Sequence, residues 1–359
     1  MKVLVTGGAG FIGSHVVDAC AHEGYEVVCV DSLDPAVHPK APDYLRGDVD
    51  YRFEDLRSWQ PSADVENVGA IVHLAALGGV TRASREPANV IDANCRGTAR
   101  LVEYASRLPE LKHVIVAGSF SVYGSNYEYA CPECGVTRDA SRQESDLASN
   151  RYEVYCRNCN KEARILPITE SAPPSPLETY GASKYMQELC FRGFSRAPVT
   201  VLRFSSVYGD RLRLDDGEAT IIARLAGWIR AGEQPLLFED GRQIRDWVYV
   251  GDIVAAVLSI LKGKPVPAVV NVCSGVPTRL TEACESIASA YGVSCVPKIL
   301  GGYRTGDMRH CLGDPAALKR LLERDPVSFK DGAALAFRPD SGRFLEGNKP
   351  CAEFLSHTA

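Results

Sequence analysis

The stretch Lys2-Val-Leu-Val-Thr-Gly-Gly-Ala-Gly-Phe-Ile-Gly-Ser-His15 leaves this chain the fewest choices of fold. A short apolar run, Val3 to Val5, stops at glycines and passes at once into an amphipathic segment, Phe11 to Ala21. That reads as strand, tight turn and helix, the opening of a dinucleotide-binding unit. Gly7 and Gly10 let the backbone turn sharply and approach a pyrophosphate, Gly13 lets helix and strand pack closely, and the helix N-terminus holds negative charge. Glycine-rich turns also occur in α/β proteins that bind no nucleotide, so the rest of the chain has to decide.

The next segments support the reading. Glu26 to Val30 is a second strand ending in Asp31, placed to accept hydrogen bonds from both ribose hydroxyls and to repel a 2′-phosphate. No arginine follows in Ser32-Leu33-Asp34, which favours NAD over NADP; the alternative for Asp31 is a solvated turn aspartate. Asp34 to Asp43 holds Pro35, Pro39 and Pro42 and is a loop, and Gly47 to Arg57 reads as a third strand closing on an acidic turn with Asp55 toward the adenine amine. Ala70 to Ala76 is a fourth strand, apolar except for His73, which is expected to be a satisfied core histidine. Asn89 to Arg107 has helical spacing and Leu111 to Ala117 is a fifth strand, so strands alternate with helices as in a doubly wound parallel sheet.

Composition excludes several classes. At 359 residues the chain is long for one core, and one α/β body with a smaller second lobe is expected. A net charge of −5 gives no electrostatic footprint for nucleic acid or an anionic membrane. No apolar run approaches the ~20 residues of a membrane span, and the N-terminus does not read as a signal peptide. A cytoplasmic protein is expected.

At the end of the fifth strand stands Gly118-Ser119-Phe120-Ser121-Val122-Tyr123-Gly124, where hydroxyls at the carboxyl edge of a parallel sheet can meet a substrate. Tyr180-Gly-Ala-Ser-Lys184 then opens a helix, with Tyr180 and Lys184 on one face. A lysine ammonium beside a phenol is expected to lower the phenol's pKa and make it a usable base.

Together these motifs resemble the extended short-chain dehydrogenase/reductase family, specifically its NAD-dependent nucleotide-sugar epimerases and dehydratases. Later landmarks are similar too: Arg85-Glu-Pro87, Asn94 with Gly97-Thr98, Leu202-Arg-Phe204 leading to Val207-Tyr-Gly209, Gly241 through Asp252, and Asn271 to Gly275. The resemblance implies a doubly wound parallel Rossmann sheet over 1–204, to which 243–275 returns, and a smaller C-terminal nucleotide-sugar-binding lobe mainly over 205–359. It implies Ser119, Tyr180 and Lys184 as the catalytic set. NAD, tightly bound and recycled, is expected against Gly7, Gly10, Phe11, Ile12, Gly13, Asp31, Ser32, Asp55, Leu56, Leu74, Ala75, Ala76, Asn94, Tyr180, Lys184 and Phe204. The sugar nucleotide, dTDP- or UDP-linked, is expected against Ser121, Ser206, Arg245, Arg304 and Asp307. Ser206 departs from the family's usual asparagine and offers a shorter arm. A homodimer is a further implication.

In the family's dehydratases an Asp-Glu pair follows the serine or threonine, and its decarboxylases keep the Glu. Here Phe120 and Ser121 stand at those positions, so elimination is disfavoured and a 4-epimerase is implied, with a 4-ketoreductase or dehydrogenase, a dehydratase or decarboxylase, and a non-enzymatic NAD-binding protein as alternatives.

Where the family has a short loop, this chain carries an insert at about 127–165. It contains Cys131-Pro-Glu-Cys134 and Cys156-Arg-Asn-Cys159, two knuckles whose spacing predicts a closed, structural four-cysteine zinc site in a zinc-ribbon-like module. Redox-active or unpaired thiols are the alternative. From Cys131 to Arg164 the basic residues Arg138, Arg142, Arg151, Arg157, Lys161 and Arg164 balance Glu133, Asp139, Glu144, Asp146, Glu153 and Glu162, so the module lacks a nucleic-acid footprint. The insert, with Asp31-x-Leu33-Asp-Pro35-x-Val37-His38, is similar to the dTDP-L-rhamnose 4-epimerase type within the family.

Overall fold

Val3, Leu4 and Val5 are fully buried because the first strand runs through the middle of a sheet covered on both faces. The computed structural model describes residues 1–35, 37–61, 67–214, 220–304 and 307–338. The last part of the range expected for the second lobe, from 339 onward, lies outside them.

The early strands are β1 (Lys2–Thr6), β2 (Glu26–Val30), β3 (Asp50–Arg52), β4 (Val68–His73) and β5 (His113–Ser119). The insert adds β6 (Tyr129–Cys131), β7 (Gly135–Thr137), β8 (Ala140–Ser141), β9 (Tyr155–Cys156) and β10 (Arg164–Ile165). Then come β11 (Val199–Phe204), β12 (Ser206–Tyr208), β13 (Leu236–Phe238), β14 (Ile244–Tyr249), β15 (Val269–Val272), β16 (Pro277–Arg279) and β17 (Lys298–Gly301).

The main sheet has the order β15-β11-β5-β4-β1-β2-β3, every pair parallel. The direction of winding reverses between β1 and β4, and the crevice at that switch point is where such sheets bind ligands. β4 is buried along its whole length, as a strand covered on both faces must be.

Helices α1 (Phe11–His22), α2 (Val80–Arg85), α3 (Pro87–Ile91), α4 (Gly97–Ala105), α5 (Glu144–Ala148) and α6 (Thr179–Cys190) precede α7 (Ile221–Arg230), α8 (Val250–Leu261), α9 (Leu280–Tyr291), α10 (Ala316–Leu322) and α11 (Phe329–Ala336). Apolar residues of α1, α8 and α10 pack on one face of the sheet, and Leu101, Tyr104 and Ala105 of α4 with Phe191 pack on the other. A separate core joins α7, α9 and α11 around Trp247 and Tyr208. None of the helices among the described residues is long and apolar enough to cross a membrane.

Two expectations are corrected. The third strand is shorter than Gly47 to Arg57: only Asp50–Arg52 pairs with β2, because its flanks are charged and turn to solvent as Arg46–Asp48 and Arg57–Asp55 pairs. The helix expected over 89–107 is interrupted by a π-helical turn, Asp92–Arg96, of the wide kind that recurs at functional sites. The turn contains Asn94, whose amide exchanges two hydrogen bonds with the Leu77 backbone and donates to Ser183 Oγ at 2.9 Å.

Candidate active site and four-cysteine cluster

The glycines of the first turn divide into two kinds. Gly7 has φ +71°, and a Cβ there would sit 2.7 Å from Ala75 N; a Cβ on Gly13 would sit 2.0 Å from Gly7 O. The fold itself requires both to be glycine. Gly10 is different, since its Cβ would meet nothing closer than Gly7 O at 3.4 Å. What its missing side chain keeps open is a cleft of about 720 Å³ above the carboxyl edge of the sheet. The α1 N-terminus borders this cleft with no side-chain cap and no acidic residue in its first turn, which leaves its N–H groups to an anion.

Gly7, Gly10, Phe11, Ile12, Gly13, Asp31, Ser32, Asp55, Leu56, Leu74, Ala75, Ala76 and Phe204 all line the cleft. Asp31 is nearly buried and fixed, with Ala9 N–H donating to Oδ2 (3.0 Å) and Leu33 N–H to Oδ1 (2.9 Å). Its carboxylate keeps lone pairs for the vicinal hydroxyls of a ribose. Asn94 is not brought to the wall: it ties the π turn to α6 behind it.

At the other end of the cleft, β5 delivers Ser119 and α6 delivers Tyr180 and Lys184. Glu178 caps α6, accepting from Tyr180 N (2.6 Å) and Gly181 N (2.8 Å), and so fixes where the phenol emerges. Ser119 Oγ accepts from Ser121 N–H at 3.1 Å and, at the same end of the cleft as the phenol, works to lower its pKa. Lys184 is 4% exposed and donates from Nζ to Gln187 Oε1 at 2.6 Å. Gln187 in turn donates to Thr98 Oγ1 (2.9 Å) and Ala75 O (3.2 Å). His73 is the satisfied core histidine expected, bonded to Thr6 and Thr98, with burial and the nearby Lys184 charge pushing its pKa down to about 3.

The expectation that Lys184 lowers the Tyr180 pKa is corrected. Burial pushes the phenol up to about 12; the Ser119 hydrogen bond pulls the other way and the Glu178 charge adds to the rise. The ammonium is turned to Gln187 within its own helix, and burial brings Lys184 itself down to about 8. The trio therefore holds a raised phenol beside Ser119 and a lysine whose pKa is brought down to about 8, and added positive charge at the cleft would be needed to favour the phenolate.

Ser121 and Ser206 also line the cleft. Phe120 does not: its ring is 4% exposed and packs with Tyr123 and against Gly313. Arg245, Arg304 and Asp307 lie off the lining as well. The Arg245 guanidinium donates to the backbone carbonyls of Ile244 (2.9 Å), Arg309 (2.9 Å) and Met308 (3.1 Å). Arg304 lies over the Phe238 ring and Asp307 is exposed. Sequence reasoning missed the Gly78–Arg82 segment, Trp247 and Ile221 on the wall, and Glu178 and Gln187 behind it. The Gly78-Gly79 pair directly after β4 was the one usable signal for them.

In the insert, β6 and β7 form a hairpin around Cys131 and Cys134, while Cys156 ends β9 and Cys159 follows in a turn closed by Cys156 N–H to Lys161 O (2.9 Å). The four sulfurs lie within 4.8 Å of one another. A tetrahedral zinc thiolate site, with Zn–S near 2.3 Å, needs sulfurs about 3.8 Å apart, so this donor set fits one. Burial raises the Cys131 thiol, but N–H donation from Cys134 and Glu133 together with the Cys159 and Cys156 thiols brings it down to about 7.

Residues 3–273 match the family described as "NAD dependent epimerase/dehydratase family". A putative UDP-glucose 4-epimerase of Methanocaldococcus jannaschii is 31% identical over 81% of this chain and 82% of its own length. The dTDP-L-rhamnose 4-epimerase of Burkholderia thailandensis is 28% identical over 87% of each. The structure of Thermus thermophilus UDP-glucose 4-epimerase in complex with NAD superposes with a TM-score of 0.71 at 25% identity, covering 95% of this chain and 99% of that one.

Proposed function

The chain belongs to the NAD dependent epimerase/dehydratase family, and from that premise we propose that it is a nucleotide-sugar 4-epimerase that retains its NAD. The residues lining the cleft suit that cofactor: open backbone at Gly10, an uncapped helix N-terminus, and Asp31 where a 2′-phosphate would be repelled. Bound there, NAD supplies reversible hydride acceptance and the positive charge of its nicotinamide ring. Tyr180 takes the proton of the C4 hydroxyl and later returns it, Ser119 shares that proton, the positive charge that NAD would bring to the cleft favours the phenolate, and Lys184, held by Gln187, lines the same end of the cleft. The sugar turns over between the two steps, so the hydride returns on its opposite face.

One observation carries the choice of epimerisation. Among the described residues the carboxylates that line the cleft are Asp31, Asp34, Glu54 and Asp55, all from the ends of β2 and β3. β2 is three strands from β5, about 14 Å at ordinary strand spacing. Beside Ser119 and Tyr180 the lining offers hydroxyls, and Phe120 is packed away. Among the described residues no lining carboxylate stands there to expel a hydroxyl or to drive loss of a carboxylate.

In this reading Arg245, Arg304 and Asp307 serve the nucleotide end, which requires Arg245 to exchange a carbonyl for a phosphate oxygen, and the cysteine cluster holds structural zinc. dTDP-L-rhamnose and UDP-hexoses are the substrates to try first. The test is incubation of the purified protein, with no cofactor added, against UDP-glucose, UDP-glucuronate, UDP-N-acetylglucosamine and dTDP-L-rhamnose, with products separated by chromatography. An epimer in large molar excess over enzyme supports the proposal; a product lighter by water or carbon dioxide, or a requirement for added NAD(P)H, would sink it.

A further inference from the structure

The four-cysteine module touches the cleft nowhere, since none of its residues line it. Its firm attachments outside its own stem are to one place in the second lobe. Arg309 is buried, with 1% of its side chain exposed, and its guanidinium pairs with Glu153 of the module (2.6 Å), with Glu239 (2.6 Å) and with Asp240 (2.8 Å). The same Glu153 reaches His310 Nε2 through its other oxygen at 2.8 Å. From the other end of the same β8–β9 connection, Arg142 forms an ion pair with Glu239 and donates to Asp307 O at 3.0 Å.

Both module residues are set by the cysteine knuckles. Arg142 follows β8 directly, and β8 pairs with β9 through Ala140 opposite Cys156. Glu153 lies just before Val154, whose carbonyl accepts from Ala163 N (2.9 Å), beside the turn that Cys156 N–H closes on Lys161 O. Loss of metal from the cluster would release both at once.

The gripped segment leads to the reacting end of the cleft. Residues 307–310 form no helix or strand; Arg245 holds the Met308 and Arg309 carbonyls, and Ile244 N–H donates to the His310 side chain at Nδ1 (3.1 Å). The chain then runs through Cys311, bonded to Ile244 O (3.0 Å), to Gly313, which is bonded to Asp246 Oδ2 (3.1 Å) and packed on Phe120. Phe120 sits between Ser119 and Ser121, and Asp246 precedes Trp247, so the three cleft-lining neighbours Ser119, Ser121 and Trp247 rest on this segment. The β2 and β3 edge, with Asp31 and Asp55, is on the far side of the sheet order.

We propose that the metal-held module is a positioning element for the substrate side of the cleft, acting through Glu153 and Arg142 on the Asp307–Gly313 segment and leaving the cofactor side untouched. The inference rests on the nucleotide-sugar reading above. Without the Glu153 carboxylate, Glu239 and Asp240 still balance the Arg309 charge, but one buried guanidinium donor and His310 Nε2 lose their partner, so the segment loses its fixed position.

The test uses the holoenzyme with Glu153→Gln, which keeps shape and one acceptor, and separately the wild type stripped of metal by a chelator. Titration calorimetry with UDP and with dTDP, the KM and kcat of whichever sugar nucleotide the wild type turns over, and the co-purified NAD content are read together. Expected is a rise of about tenfold in Kd and KM, with kcat within a few-fold and NAD content unchanged. Unchanged Kd and KM in a variant and a stripped enzyme, or loss of NAD in parallel with them, would overturn the proposal; the stripped wild type decides if the variant does not fold. Wild-type binding of neither UDP nor dTDP would instead overturn the nucleotide-sugar reading, and the module's role with it.

Discussion

The two ends of this molecule hold charge in opposite ways. At the cofactor end the cleft is faced by backbone N–H groups of a helix terminus and by carboxylates from the ends of β2 and β3, of which Asp31 is tied to the loop by Ala9 and Leu33. At the module end five charged side chains, Arg142, Glu153, Glu239, Asp240 and Arg309, are closed on each other across more than one part of the chain. The first arrangement is open and waits for a partner; the second is closed on itself, with its charges paired, and serves to hold. Backbone geometry builds the open site, and side-chain charge builds the brace.

The sharpest way to break that contrast is Gly10→Val. Its backbone φ of −76° suits valine, and the protein itself leaves room for a Cβ, so the fold is expected to survive. Co-purified NAD, read by absorbance after denaturation, and activity should both disappear. Retained NAD would show that the open backbone is not a ligand cradle. Next in size is Tyr180→Phe, which should keep its NAD and lose about 10²- to 10⁴-fold in kcat, as removal of a general base does. A change in KM alone would remove Tyr180 from the chemistry.

Cys134→Ser acts on the other half of the comparison. Metal content by atomic absorption should fall while NAD content holds, with substrate KM rising about as far as in Glu153→Gln. Equal metal content and full activity would mean that the cluster is not a metal site of consequence. The smallest effect is electrostatic. Burial holds Lys184 near 8 rather than 10.5, so between those pH values the unfolded chain binds the extra proton and the cofactor-free protein gains stability as pH rises. The gain is about 3 kcal/mol at 1.36 kcal/mol per unit. Lys184→Met should lack that rise in a series of urea melts from pH 7 to 10.5.

The same contrast explains what could be read from the amino-acid order. Gly7, Gly13 and Asp31 are local: their meaning depends on neighbours within one strand, turn and helix, and β1, α1 and β2 fell where the pattern put them. The cysteine cluster was legible because ligand spacing is itself a local rule. The brace was not, because Arg142, Glu153, Glu239 and Arg309 are ordinary charged residues until folding brings them together. The Tyr180 shift was misread for a related reason. Four-residue spacing on a helix places Lys184 near the phenol, but the spacing says nothing of Gln187 as a competing acceptor or of how fully both groups are buried.

The central claim is that the cleft runs a closed redox cycle, taking a hydride from C4 and giving it back. The most direct measurement is a turnover count with no cofactor added, following epimer formation on a productive sugar nucleotide by NMR and the 340 nm absorbance of the same sample. The account predicts hundreds of equivalents of epimer per enzyme with absorbance that never exceeds one equivalent of NADH. Absorbance that rises in step with product, or conversion that stops after one turnover until NAD is supplied, would contradict it.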